Sequence, residues 1–266
     1  MISPATKPMI PSKTCFRSAS PRGWTLVETL VTAAIISVLA GITYPVYNAV
    51  RRNALKVDST QRMEGLATAF VNYTSDNNGN MPREDAVGGN DWVMASKPEN
   101  ADVWYNALPA LMGAQAVGAL ASTPEIFYLK DYPLYFKAAE YPEDDKKLAK
   151  PYFAVAMNSR LQRRADTGEK KPGTMAELQA PSRTVMFFER GLPGEEKSMG
   201  ALGGYDGTPK GNAKNFVARY NQKGLVIFAD GHAELHPASD LISTSGMIPV
   251  PQTEFVWTKD PQEDPN

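Results

Sequence analysis

One cysteine, Cys15, stands in 266 residues. That excludes an internal disulfide and a cysteine-rich zinc site, so stability has to come from packing. Histidine is nearly as scarce: the chain has two, His232 and His236, in one short stretch. No second histidine-bearing region exists from which a Ser-His-Asp or Cys-His site is assembled, so neither catalysis nor a cofactor is expected. A surplus of positive charge is missing as well. The chain holds 28 basic and 29 acidic residues, and Lys7, Lys13, Arg17 and Arg22 fall within the first 23 residues, which contain no acid. The 24 basic residues left are outnumbered by five acids, a poor balance for neutralising phosphates, and no nucleic-acid partner is expected. No internal repeat and no Gly-Lys-Ser/Thr phosphate loop is present. With 42% hydrophobic and 21% charged residues and a mean hydropathy of -0.35, simple disorder is excluded and most of the chain must fold around a core.

Residues 1–23 are polar, proline-bearing and purely basic, and read as a leader. From Trp24 to Tyr47 the chain is apolar apart from a single charge, Glu28. As a helix these residues would span about 36 Å at ~1.5 Å per residue, enough to cross a ~30 Å hydrocarbon layer. Basic residues before an apolar run suit a cleaved secretory signal and a plain anchor alike. The length of the run and the lack of a small-x-small cleavage site argue against the secretory signal. A plain anchor leaves Glu28 unexplained, because a carboxylate at the end of a span is costly and usually has a partner.

Gly23-Trp24-Thr25-Leu26-Val27-Glu28, followed by an apolar helix, resembles the signature of type IV prepilins and type II secretion pseudopilins. The resemblance implies cutting after Gly23 by a prepilin peptidase on the cytoplasmic side and methylation of Trp24. Glu28 becomes the fifth residue of the mature chain, as in that family, and Pro45 the twenty-second, where pilins commonly carry proline. The family usually has phenylalanine where this chain has Trp24, and the leader is longer than many. A new α-amino group is a cation, so the Glu28 of one subunit has a natural partner in a neighbour's N-terminus.

Beyond the span, Val50, Ala54, Val57, Met63, Leu66, Phe70 and Tyr73 recur at helical spacing among charged residues. An amphipathic continuation over 48–75 is expected, giving a rod of about 75 Å if unbroken, with Gly41 and Pro45 the places to bend or melt. Asp76, Asn78 and Asn80 alternate like calcium ligands. Met81 stands where the loop needs glycine and Val87 where it needs glutamate, so the segment reads as a helix stop. Residues 83–101 read as loop. Helices are expected over Asp102–Met112, with Trp104 and Tyr105 inward, and over about Leu134–Leu148. Strand candidates are Tyr152–Met157, Thr184–Glu189, Phe216–Tyr220, Leu225–Phe228 and Ala233–His236, the last three as an antiparallel meander. Seven glycines between Gly191 and Gly211 suggest a flexible or subunit-contacting loop, and the proline-rich 249–266 an irregular tail.

The stretch Ala218 to His232 resembles a motif, seen in one large bacterial group of prepilin-type proteins, in which a histidine is followed nine residues later by Asp-Gly. Asp230, Gly231 and His232 are kept, but Tyr220 replaces the histidine, which puts any histidine-dependent role in doubt. Tyr152–Asn158 and Pro181–Glu189 resemble that group's strand segments. Tyr220 facing Asp230 across a hairpin would pack or donate through its hydroxyl. Asp230, His232, Glu234 and His236 alternate, so on one strand they would share a face, the only metal-like pattern in the chain. A polar, solvent-facing side of an edge hairpin explains it more simply.

The resemblance implies an α+β, pilin-like fold: a long N-terminal helix, its first half (24–47) in the membrane, packed on an antiparallel sheet in an extracytoplasmic domain over 76–248. It implies a filament subunit of the inner membrane or cell surface, with prepilin peptidase, an inner-membrane assembly platform and other pilin-like subunits as partners. A single-pass anchored ligand- or metal-binding protein that never polymerises is the alternative.

Overall fold

The computed structural model describes residues 23–143, 149–164, 170–195, 204–241 and 247–266. The chain forms two compact units, the first ending at Ala49 and the second comprising Val50–Asn266. The leader up to residue 22, with Cys15, lies outside the described residues.

Helix α1 runs Leu26–Asp76, 51 residues with Pro45 inside it. In the first unit every residue from Gly23 to Tyr47 is exposed. Neither Gly41 nor Pro45 melts the helix, although Pro45 removes the donor that would have reached the Gly41 carbonyl. This unit contains the one helix, among the described residues, that is long and apolar enough to cross a bilayer.

In the second unit α1 changes character. Ser59, Met63, Leu66, Ala67, Phe70 and Thr74 are buried, a stripe at the spacing the sequence carries. Phe70 meets Phe187 of the sheet edge to face, with ring centres 5.8 Å apart. The helix stops where expected: Asn78 and Gly79 take positive φ, and the Gly79 N–H returns to the Thr74 carbonyl at 2.8 Å.

Helix α2, Trp92–Ala95, is capped by Asp91, and α3, Trp104–Leu111, buries Trp104 and Tyr105 as anticipated. The helix expected from Leu134 does not form across 134–143, which folds as turns and irregular chain, and residues 144–148 lie outside the described set. Pro133 and Pro142 bracket the segment, and Arg62 of α1 holds its approach by donating to the Tyr132 and Lys130 carbonyls at 2.6 Å each. Tyr132, Leu134 and Phe136 point into the core, an every-second-residue burial that a helix would scatter.

Seven strands follow among the described residues: β1 Val155–Asn158, β2 Arg163–Arg164, β3 Lys170–Lys171, β4 Val185–Glu189, β5 Lys210–Gly211, β6 Lys223–Phe228 and β7 Ala233–Pro237. Five form one sheet in the order β5-β1-β4-β6-β7, and β2 pairs with β3 apart from it. The fold is α+β, with one correction. The sheet is mixed, not antiparallel, because β5 runs parallel to β1. The chain needs about fifty residues, through β4 and the glycine-rich stretch, to return to that edge, and a long connection permits parallel pairing.

The meander also loses its first strand. Residues 216–220 make only isolated bridges, Arg190 to Phe216 and Tyr220 to Lys223, so β6 and β7 form a hairpin alone. The tail is irregular as expected, yet it is not a surface strap. Phe255, Val256 and Trp257 are buried, Val256 bridges Thr184, and Trp257 packs edge to face on Phe188 at 5.3 Å. Phe255 and Trp257 complete a second apolar cluster on the sheet, with Val185, Phe216 and Phe228.

Candidate functional site

Gly23, Trp24 and Thr25 precede α1 in non-helical conformation, with Trp24 73% exposed and open space around Gly23. The bond between Gly23 and Trp24 therefore lies outside the helix and is exposed. Glu28 is engaged within its own chain. Its Oε2 accepts from the Thr25 N–H and the Thr25 hydroxyl, both at 2.8 Å, and the Thr25 Oγ1 accepts from the Glu28 N–H at 3.2 Å. This reciprocal pair is a capping box, which satisfies orphan donors at a helix start and places a carboxylate at the positive end of the helix dipole. The signal was present as Thr25-x-x-Glu28 and gives the carboxylate a local role that the apolar run alone did not suggest.

The C-terminal motif is split between two places. Tyr220 does not face Asp230. Its hydroxyl donates to Glu189 Oε1 at 3.1 Å, on the core side of the sheet. Asp230 instead pairs with its neighbour, Oδ1 lying 2.5 Å from His232 Nδ1, and the His232 ring stacks on Phe228 at 4.3 Å. Gly231 is needed at the turn on two counts: its φ is +94°, and a Cβ there would come within 2.6 Å of Val71 on α1. The Asp-Gly turn thus lies against the helix, and its glycine lets it do so.

Asp230 and His232 belong to the turn and Glu234 and His236 to β7, yet the side chains stay in one row, with His232 Nε2 3.9 Å from Glu234 Oε1 and both histidine rings against Phe228. Glu234 Oε2 pairs with His236 Nε2 at 2.7 Å, and His236 meets the edge of Phe255. Among the described residues no group of three or more His, Cys, Asp or Glu stands close enough to hold a metal ion.

The ionic centre of the domain went unnoticed in the sequence because its members are far apart in the chain. Glu189, at the end of β4, is fully buried. Its carboxylate accepts from the Leu225 N–H at 2.9 Å, the Tyr220 hydroxyl and the Arg219 guanidinium at 3.3 Å. Arg219 reaches Glu195 as well, at 3.0 and 2.7 Å, and donates to the Ala154 and Arg190 carbonyls. Burial pushes the Glu189 carboxyl above the usual range, against the pull of Arg219 and its hydrogen bonds. Burial likewise drives the Tyr220 hydroxyl far up, with the Glu189 charge adding to it. The backbone of residues 216–220 meets its neighbours only in isolated bridges, with the Val217 N–H reaching the Glu189 carbonyl at 3.1 Å.

Glu195 also accepts from the Leu192 and Glu140 N–H groups at 2.7 and 3.0 Å, pinning the start of the glycine-rich stretch. Its middle, 196–203, lies outside the described residues. On its far side Arg190 pairs with Asp206, which also accepts from the Thr208 N–H and hydroxyl. Burial opposes the charge of Asp206, but the Arg190 hydrogen bond and charge outweigh it and hold the carboxyl below the usual aspartate range. A depressed value means stability that is present above the unfolded aspartate pKa and lost as pH falls through the folded one. Asp206→Asn should therefore melt earlier than the native protein at pH 7, with the gap closing as pH falls below the usual aspartate range. Thermal melts across pH check this, and a gap independent of pH would refute it.

Comparison with protein-family models, with curated proteins and with solved structures finds no match to this chain in any of the three.

Proposed function

We propose that the chain is a prepilin-type subunit of a type IV pilus-like or type II secretion pseudopilus-like filament, cut after Gly23 and assembled through α1. One observation carries the reading. From Gly23 to Tyr47 the helix is exposed and almost wholly apolar, so its own unit leaves it without a core to join. Lipid covers such a surface before assembly, and a bundle of identical helices covers it afterwards without exposing it to water. The Gly23-Trp24…Glu28 spacing, with an accessible bond before Trp24, supports processing by a prepilin peptidase at the inner membrane. The glutamate then sets the axial stagger through a neighbour's new α-amino group. An assembly platform and other pilin-like subunits are the remaining partners, and the second unit lies outside the cytoplasm.

The test is intact mass and N-terminal sequencing of the protein from membranes of its native host. The expected chain begins at Trp24 and carries one added methyl group. A chain that keeps Met1, or begins beyond the apolar segment, overturns the reading. A second reading draws on the Thr25–Glu28 capping box: if the carboxylate only caps its helix, α1 is a plain single-pass anchor for an extracytoplasmic binding domain.

A further inference from the structure

Residues 29–57 of α1 hold three bases, Arg51, Arg52 and Lys56, and no acid. Arg51 and Arg52 are exposed and Lys56 is half-buried, and none of the three has an ion pair among the described residues. The buried residues of α1 begin at Ser59, so this stretch lies outside the core. The nearest acid, Asp58, is already taken: Arg62 donates to it at 2.8 Å and Lys137 lies 2.5 Å away. Two cations on one carboxylate leave that trio net positive, with no charge to spare for the three bases. These bases also follow the apolar run directly. Trp24 stands at one end of it and Tyr44 and Tyr47 at the other, all exposed, where amphipathic rings meet a bilayer interface. Trp24 to Tyr44 covers about 30 Å at ~1.5 Å per residue, the thickness of the hydrocarbon layer. Arg51 follows Tyr47 by four residues, about 6 Å as helix and at most about 14 Å fully extended. Long Arg and Lys side chains reach back toward the interface, so their charged heads arrive at the lipid headgroups.

We propose that Arg51, Arg52 and Lys56 form a headgroup site for anionic phospholipid where the span leaves the bilayer. A lipid phosphodiester presents two unbridged oxygens, which a guanidinium meets with two parallel N–H donors, and Lys56 adds a point charge. Arg52 and Lys56 are four apart on a helix and so are neighbours on its surface, within reach of one headgroup. The lipid has to carry net charge. The phosphate of phosphatidylcholine is neutralised by its own ammonium, whereas that of phosphatidylglycerol is not. A second copy of the chain is a poorer partner, because the same stretch of its α1 is equally basic and equally free of acid. Each base near an anionic surface contributes about fivefold in affinity, so the three together contribute about a hundredfold. The inference rests on α1 crossing a membrane, which the filament and plain-anchor readings share, and on nothing that separates them.

The full chain, in a neutral detergent, is titrated with phosphatidylglycerol and with phosphatidylcholine of identical acyl chains, and native mass spectrometry follows the lipid adducts. Phosphatidylglycerol should bind more tightly at low salt, with the preference shrinking as salt is raised. Arg51→Gln/Arg52→Gln/Lys56→Gln, all outside the core, should cut that preference by about tenfold or more. Arg51→Lys/Arg52→Lys keeps the charge and should retain most of it. Equal binding of the two lipids by the native chain overturns the proposal. So does a preference undiminished in the glutamine variant, since the four bases within residues 1–23 are then the lipid site. A glutamine variant that loses self-association but keeps its lipid preference also overturns it and assigns the bases to another copy. A chain that binds neither lipid and stays soluble without detergent defeats the membrane reading itself, and the proposal with it.

Discussion

Arg219→Met is expected to cost the folded protein about 3–5 kcal/mol, the usual loss when one member of a buried ionic group is removed. Methionine fills much of the space but carries no charge. It leaves Glu189, which is fully buried, and Glu195, whose side chain is 9% exposed, without the guanidinium that both contact. Three hydrogen bonds persist at Glu189 or Glu195 from the backbone of Leu225, Leu192 and Glu140, and these satisfy lone pairs without neutralising charge. The loss should depend on pH in a definite direction. Glu189 already titrates above its ordinary value, and removing Arg219 raises it further. A raised folded value means stability present below the unfolded pKa and lost as pH rises through the folded one. The deficit of Arg219→Met should therefore be greatest near neutrality and shrink on acidification. Adding Glu189→Gln should recover part of it, because the second change removes the charge that the first left unpaired. Denaturation of the native, single and double variants at pH 5 and pH 7 reads all three statements. A single variant within 1 kcal/mol of native at pH 7 would show that the triad is not held by Arg219.

Glu28 separates two physical roles that an alanine substitution would confuse. Glutamine keeps an oxygen able to accept the Thr25 N–H, so the capping box survives in Glu28→Gln, whereas Glu28→Ala loses it. What glutamine lacks is the charge. In the filament reading the α-amino cation of a neighbouring subunit then enters an apolar bundle unpaired, at a cost of several kcal/mol per contact. Glu28→Gln should accordingly be made, inserted and cut after Gly23 like the native protein, yet form no filaments. Electron microscopy of sheared surface material, beside N-terminal sequencing of the membrane pool, gives both readouts. Filaments of native abundance from Glu28→Gln would assign the carboxylate to capping alone and remove the basis for register by charge pairing.

The two regions differ in how far their residues could be read in advance. The helix was legible because its determinants are local: an unbroken apolar run, then Met63, Leu66 and Phe70 at helical spacing, then Asn78-Gly79 able to take positive φ. The strands at β1, β4, β6 and β7 were legible for the same reason, β4 and β6 as short runs rich in β-branched and aromatic residues. Phe216–Tyr220 carries the same pattern and is not a strand. Its Arg219 and Tyr220 side chains turn to a buried glutamate from β4, and Arg219 to another from the glycine-rich stretch, while its backbone makes only isolated bridges. Leu134–Glu143 misled in the opposite sense. Its apolar residues admit a helix, but the core beneath it takes Leu134 and Phe136 from an irregular chain anchored by Arg62.

By itself, the sequence determined which segments bury apolar surface and where the chain must turn, because helix, hairpin and cap are each decided within a few residues. It also determined the spacing from Gly23 to Glu28. The tertiary structure alone decided that Tyr220 belongs to Glu189 and not to Asp230, that β5 runs parallel to β1, and that Trp257 of the tail completes a core cluster. These are pairings between residues tens of positions apart. Their energy comes from removing charge and apolar surface from water, which depends on what the fold brings together and not on what is adjacent in the chain.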